Sequence, residues 1–554
     1  MKIKLRKEPR APFKTVDVAK GTTIHELYQK YKKGLPHTIV LAKVNNEYKS
    51  LANPILEPCS VEFLDMRNWA ACLVYQHSLS LIYLAASRDV IGSRDIMIHN
   101  SLNQGLYIEV RSGAEITDEE VEKISAQMRW LIDSNLPIEH VELTRERSIE
   151  IMKHTNRHAA VQHLEQLRPG QVLDFFVLDG YTDYFFSPMV PYTGYIQYFE
   201  LRNYRGGLLL RFPVMGAPET IPPFVDEERL YETFQVQSEW EHLLKIDFVP
   251  ALNEVVQSKN KKALVLLSEA LHEKRIAELA DRIVKSDKRI VLIAGPSSSG
   301  KTTFAQRLCI QLVVNGKFPM YLGTDDYFVE REQTPLDSHG EPNYEGIDAL
   351  DIELFNHDMN ALLAGEEVDL PSFDFITGHK VFGTRRTKLE DNQIVVIEGI
   401  HGLNKKLTEQ IPAKEKFKIY ISPLTQLNMD EHCRISNTDE RMIRRMVRDY
   451  QFRGHDAVAT IRAWPKVRAG EDENIFPYSN EADALFDSYH VYEIAVLKKY
   501  ADPILRAVTP DQPEYAEAHR MLTFLNSFWA LKDDSIIPNN SILREFIGKS
   551  VFSR

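Results

Sequence analysis

The run "RIVLIAGPSSSGKTTF" sets Gly295 and Gly300 at the ends of a short loop, with Lys301, Thr302 and Thr303 directly behind the second glycine. The spacing is G-x-x-x-x-G-K-[ST], preceded by an apolar strand and followed by the helix-compatible "TTFAQRLCIQL". Along Gly295, Pro296, Ser297, Ser298, Ser299 and Gly300 the backbone can wrap closely around phosphate. Its N–H groups and the start of the helix then meet the anion, while Lys301 reaches the outer phosphate oxygens. Thr302 offers a hydroxyl to Mg²⁺, and Thr303 completes the first turn. This predicts a site for ATP or GTP.

Magnesium prefers a near-octahedral shell of oxygens, so a second protein ligand is expected. "NQIVVIEGIHGLN" supplies Glu398 at the end of an apolar strand, on the carboxyl edge of a sheet where ligands collect. "FPMYLGTDDYFVERE" reads as another short strand ending in two aspartates. Asp325 is the better base, because a carboxylate just past a strand end can face the terminal phosphate and accept the proton of an attacking hydroxyl. "RMIRRMVRDYQFRGHD" reads as a helix ending near Gly454, with Arg441, Arg444, Arg445 and Arg448 spread over its surface and Arg453 just beyond. Phosphoryl transfer needs cations that close over the phosphates and exclude water, and the guanidinium fork suits that task.

The elements that must position these groups divide the chain. At 554 residues it exceeds one ordinary core. Its 44% hydrophobic and 26% charged residues are those of a folded protein. A formal charge of −12 disfavours a general phosphate-backbone binder, leaving room only for a local basic groove. The cysteines Cys59, Cys72, Cys309 and Cys433 form no C-x-x-C pair, so neither a zinc knuckle nor a disulfide framework is expected, and a reducing cytoplasm fits. No uncharged apolar run approaches the roughly 20 residues of a bilayer span, so no membrane partner and no export are expected.

Residues 1–66 alternate β-rich runs with one helix, a β-grasp pattern. An α+β stretch follows over 67–249, then a helical linker over 250–287 with an apolar stripe. Alternating strands and helices over 288–508 predict an α/β domain with a covered parallel sheet, and 509–554 form a helical tail with a last helix capped by Asn540 or Ser541 and ended by Gly548.

In order, the phosphate loop, "TDDYF", "PNYEGIDALD", "LPSFDFITGHK", "VIEGIHGLN" and "RMIRRMVRDYQFRGHD" resemble the uridine kinase and phosphoribulokinase family. The resemblance implies Asp325 as base for a ribose 5′-hydroxyl, Glu398 and Thr302 on magnesium, and Arg445 with Glu345 on the ribose hydroxyls. It implies Phe373, Phe375 and His379 around the base, Tyr344 among the substrate-binding residues, and Arg448 and Arg453 as lid arginines. Four departures bear on specificity: Glu345 stands for aspartate, Phe373 for tyrosine, His455 for arginine, and one residue is inserted before His379. Losing the phenolic hydroxyl leaves apolar contacts, which discriminate weakly between bases.

The front of the chain resembles a TGS domain followed by the second additional, editing domain of threonyl-tRNA synthetases. That family's editing site uses H-x-x-x-H and C-x-x-x-H pairs. Here "HSLSL" keeps His77 but has Leu81, and "FFSPM" has Phe185 and Met189. Those side chains cannot serve as acid, base or hard metal ligand, so a scaffold or sensor is expected. The resemblance as a whole implies an ATP- or GTP-dependent, magnesium-requiring nucleoside kinase, with uridine or cytidine first. Another small alcohol or sugar as acceptor, and an RNA- or ribosome-associated nucleotide switch, are the alternatives. RNA contact through the N-terminal half and homo-oligomerisation are left open.

Overall fold

The computed structural model describes residues 1–552 except 93, 112, 114, 156, 338 and 339. From residue 290 onward, apolar runs too short for helices build a five-stranded parallel sheet. Its strands lie side by side in the order Phe318–Gly323, Gln393–Glu398, Ile290–Ala294, Lys416–Ser422 and Ala484–Asp487. The central run "IVLIA" is buried throughout, as a strand covered on both faces must be. Helix Lys301–Val314 leaves its carboxyl end through the glycine loop. Helix Lys261–Lys285 packs alongside, joined by Arg307 to Glu273 at 2.7 Å, and His272 faces the Tyr489 carbonyl at 2.9 Å. The segment read as a linker is thus packed into this domain along most of its length.

The N-terminal module has the expected β-grasp form. Strand Lys2–Arg6 runs parallel to Ser60–Leu64 in a mixed five-stranded sheet, and helix Ile24–Tyr31 buries Ile24, Leu27 and Tyr28. Thr23 and Glu26 form a reciprocal cap at its start. Beyond it, the 23-residue helix Trp69–Ile91 is flanked by a four-stranded antiparallel sheet and a three-stranded one. Against the sequence expectation, this helix is long and apolar enough to cross a membrane, but 89% of its most apolar window lies inside the protein. Protein packs on every side, so no polar face is required. Ser78 and Ser80, which interrupt the run in sequence, are satisfied by carbonyls four residues earlier at 2.7 and 2.9 Å.

Polar contacts join the two halves. Trp69 donates from its indole to Asp439 at 3.1 Å, and Arg520 of the C-terminal helix Tyr515–Asn526 grips the same carboxylate at 2.7 and 2.9 Å. Asp439 lies in the first turn of helix Asn437–Phe452, which carries the arginine cluster, so this helix is anchored by Trp69 and Arg520 from segments before and after it. The last helix is a single turn, Arg544–Ile547, with the Ser541 hydroxyl accepting from the Leu543 N–H and Gly548 at φ +88° ending it.

Candidate active site

The glycine loop is shaped by close approaches. A Cβ at Gly295 would stand 2.0 Å from the Ile421 carbonyl oxygen, and Gly300 adopts φ +83°. The buried hydroxyls of Ser298 and Ser299 have no protein partner, and Ser298 is held at φ +61°. A helix start with such donors fits a bound polyphosphate. Lys301 folds onto the loop, donating to the Gly295 and Pro296 carbonyls at 3.0 and 3.1 Å.

Strand register brings the acids to the loop. Gly323 and Ile293 both pair with Glu398, whose Oε2 accepts from the Thr302 hydroxyl at 3.3 Å and from Tyr321 at 3.2 Å. Burial pushes the Glu398 carboxyl up to about 7, against the pull of Lys301. A hydroxyl and a carboxylate side by side are suited to magnesium, which takes its other oxygens from water and phosphate. Among the described residues no cluster of three histidine, cysteine or acidic side chains offers a different kind of metal site.

Asp325 is the second residue of the 3₁₀ turn Thr324–Tyr327, directly after strand Phe318–Gly323. Its side chain reaches solvent, while the protein packed around the carboxyl disfavours its charge and raises it above the usual range, opposed by Lys301 and Arg453 and reinforced by Asp326. Asp326 has a structural task, binding Arg385 at 2.6 Å. Glu345 is likewise raised by burial and pulled down by Arg445. Asp325, Lys301, Glu398, Glu345, Arg445 and Arg453 are therefore linked to one another electrostatically.

The arginines expected over the surface of this helix do not all lie there. Arg441 and Arg444 are buried beneath the loop: Arg441 binds Glu471 at 2.8 Å, and Arg444 binds Glu493 and the Ser488 carbonyl. Glu471 also accepts from the Ser297 backbone N–H at 2.9 Å and from Arg468 at 2.9 Å, fixing the loop to helix Ala457–Asn474. Arg445 donates to the Ser297 hydroxyl at 2.8 Å. Arg448 and Arg453 lie nearer the open side, both facing Asp449.

Phe373 and Phe375 meet as expected, with ring centroids 5.2 Å apart, and Phe328 and Tyr344 complete the aromatic group. His379 is not brought to it. Phe373 pairs with Lys380 and Asp374 with His379 across the hairpin, and successive side chains alternate in face. His379 therefore turns away from Phe373, is exposed, and binds Glu330 at 2.6 Å.

In the N-terminal half His77 contacts the Ser187 hydroxyl at 2.6 Å and stacks on Phe185, while the Met189 sulfur lies 3.3 Å from the Ser78 hydroxyl. Burial, then Arg434, pushes the His77 imidazole down to about 3, so it stays neutral. Phe185 and Met189 line a cavity of ≈ 1230 Å³ between the front modules and the C-terminal helix.

Residues 290–495, holding the glycine loop, Asp325, Glu398 and the arginine helix, match the Phosphoribulokinase / Uridine kinase family. This segment is similar to that family. The kinase segment is preceded by a region similar to threonine–tRNA ligases: that of Clostridium tetani is 28% identical over 193 residues, 35% of this chain and 30% of the ligase. The chain thus spans about a third of the length of the curated relatives it matches. Among solved structures, a possible uridine kinase from Bacillus stearothermophilus is similar at 22% identity and TM-score 0.27, covering 39% of this chain and 98% of that one. D-glycerate 3-kinase from Cryptococcus neoformans is similar at 12% identity and TM-score 0.22, covering 45% and 87%.

Sequence reasoning missed Phe328, Asp449, Glu471 and Glu545. Asp449 was within reach, lying four residues after Arg445 on one helix face. Phe328 directly follows "TDDY". Glu471 and Glu545 reach the loop from distant segments and carry no local signal.

Proposed function

We propose that the chain transfers the γ-phosphate of ATP or GTP, with Mg²⁺, to the 5′-hydroxyl of a nucleoside, uridine and cytidine first. The observation that carries this reading is Asp325, two residues past the strand end that pairs with Glu398, with its carboxyl raised above the usual aspartate range. A raised carboxylate is a stronger base. Asp325 takes the proton of the acceptor hydroxyl as that oxygen joins the γ-phosphorus and the bond to the β,γ-bridging oxygen breaks, leaving a nucleoside diphosphate. Thr302 and Glu398 would hold magnesium, which when bound supplies charge neutralisation at the phosphate oxygens. Lys301 holds the outer phosphates, Arg448 and Arg453 close over them, and Arg445 with Glu345 orients the ribose. Phe328, Phe373, Phe375 and Tyr344 offer flat surface to a base.

One observation favours a second acceptor class. The aromatic group presents rings with Tyr344 as its single phenol, and such a pocket selects weakly among planar ligands and small alcohols. Incubating the protein with Mg²⁺ and ATP or GTP against nucleosides, sugars and other alcohols, with products resolved by mass, tests both. Uridine or cytidine monophosphate that disappears in Asp325→Asn supports the first reading. Turnover that requires added RNA would instead support a nucleotide switch working through the ligase-like half.

A further inference from the structure

The C-terminal segment reaches back into the first turn of the phosphate-binding helix. Ser541, Ile542, Leu543 and Phe546 are buried, and Ile542 packs against the loop so closely that a Cβ on Gly300 would stand 2.4 Å from its Cγ2. The segment is held from both sides. Arg544 donates to the Asp534 and Ile537 carbonyls at 2.7 and 2.8 Å, Gln451 donates to the Phe546 carbonyl at 3.3 Å, and the Arg444 guanidinium lies 5.1 Å from the Phe546 ring.

This packing aims Glu545 at the helix start. Its Oε2 accepts from the Thr303 backbone N–H at 3.2 Å and from the Thr303 hydroxyl at 2.9 Å. The first four N–H groups of a helix have no partner within it, and the positive end of the helix draws anions. Thr303 holds the third position of helix Lys301–Val314. A carboxylate from the chain's own C-terminal segment therefore uses donors that a nucleotide phosphate would use. It also adds negative charge beside Glu398, whose carboxyl it helps to raise.

We propose that segment 541–547 is an internal competitor for the phosphate loop. Glu545 holds the Thr303 donors until a nucleoside triphosphate displaces it, so the docking equilibrium of the segment sets the affinity for the phosphate donor. The inference rests on the nucleotide-binding part of the reading above and is independent of the acceptor.

Titration of the full-length protein with a fluorescent ATP analogue and Mg²⁺, followed by anisotropy, tests it. Glu545→Gln keeps the size of the side chain and removes its charge. If the docked form makes up about nine-tenths of the molecules, the variant binds the analogue about tenfold more tightly. Ile542→Ala, which loosens the packing without touching a charge, shifts affinity the same way, and hydrogen exchange over 541–548 of the unaltered protein rises on adding nucleotide. Equal or weaker binding by Glu545→Gln, with segment exchange unmoved by nucleotide, overturns the proposal while leaving the kinase reading standing. Failure of the unaltered protein and both variants to bind nucleotide overturns the phosphate-loop reading and this proposal together. Tighter binding without any acceptor phosphorylation upholds the competitor and counts against the proposed acceptor alone.

Discussion

Arg448 donates from Nε to the Asp449 carboxylate at 2.9 Å, and the same buried carboxylate faces Arg445 Nε at 3.3 Å and Arg453 Nε at 3.6 Å. Three cations are thereby collected at the end of one helix. Burial lowers the affinity of the Arg445 and Arg453 guanidinium groups for their protons, and Arg448 lowers both further. Asp449 is the positioning residue that offsets this repulsion. Asp449→Asn should let the arginines separate and admit water, lowering kcat about 10- to 100-fold, or ~1.4–2.7 kcal/mol. The share of nucleoside triphosphate lost to hydrolysis should rise at the same time. The ratio of diphosphate formed to acceptor phosphorylated measures this, and an unchanged ratio contradicts the role.

Under the proposed mechanism, Asp325→Asn removes the proton acceptor and leaves the loop intact. Positioned general bases contribute about 10²–10⁴-fold, so kcat should fall by that factor with nucleotide affinity nearly unchanged. The pH profile gives a second readout. A base whose pKa is raised loses its negative charge at a higher pH than usual. The acid limb of kcat/KM should therefore lie above the ordinary aspartate value of about 3.9 and be missing from the residual activity of the variant. A limb at the ordinary value would remove Asp325 from this role.

The loop, Asp325, Glu398 and the arginine helix are legible because each is fixed by neighbours in sequence: glycine spacing, a strand end, or one helix. Partners that arrive from elsewhere are not. Arg441 and Arg444 look like solvated charges until Glu471 and Glu493 are brought in from two other helices. His379 fails for a smaller reason, the parity of a three-residue strand, which one inserted residue reverses. The serines and His77 of helix Trp69–Ile91 disguise a helix buried on all sides, because backbone carbonyls and Ser187 satisfy them only in the folded chain.

Glu345 and Arg445 attract one another electrostatically, and burial strengthens whatever they bind. Glu345→Gln should raise the acceptor KM about 10- to 100-fold, the scale of a charge-assisted hydrogen bond worth ~1.5–3 kcal/mol. The KM for the phosphate donor should move much less. Comparing the two constants separates a ribose-holding role from a general loss of structure. Phe373→Tyr adds a phenol at this position and should widen the spread of kcat/KM among nucleobases. An unaltered ranking and spread would place the base elsewhere.

Arg157 tests whether the ligase-like half supports the kinase segment. Its guanidinium bridges Asp183 of strand Tyr181–Tyr184 and Asp430 of the segment leading into helix Asn437–Phe452, with all three side chains buried. Burial opposes the charge on Asp183, yet Arg157 and His432 overcome it and hold its carboxyl down to about 2. Because that value is depressed, its contribution is fully present above the ordinary aspartate range and is lost as pH falls from about 4 towards 2. Arg157→Met leaves two buried carboxylates without their cation, which should cost roughly 3–5 kcal/mol. Thermal unfolding at neutral pH should show this as a clear drop in Tm, and lowering the pH should narrow the gap between variant and unaltered protein as Asp183 takes up its proton. The link to function runs through Asp430, which lies just before the arginine helix. The variant should therefore also lose acceptor phosphorylation at temperatures where its N-terminal half is still folded by circular dichroism. Full activity there would mean the two halves are joined without supporting one another.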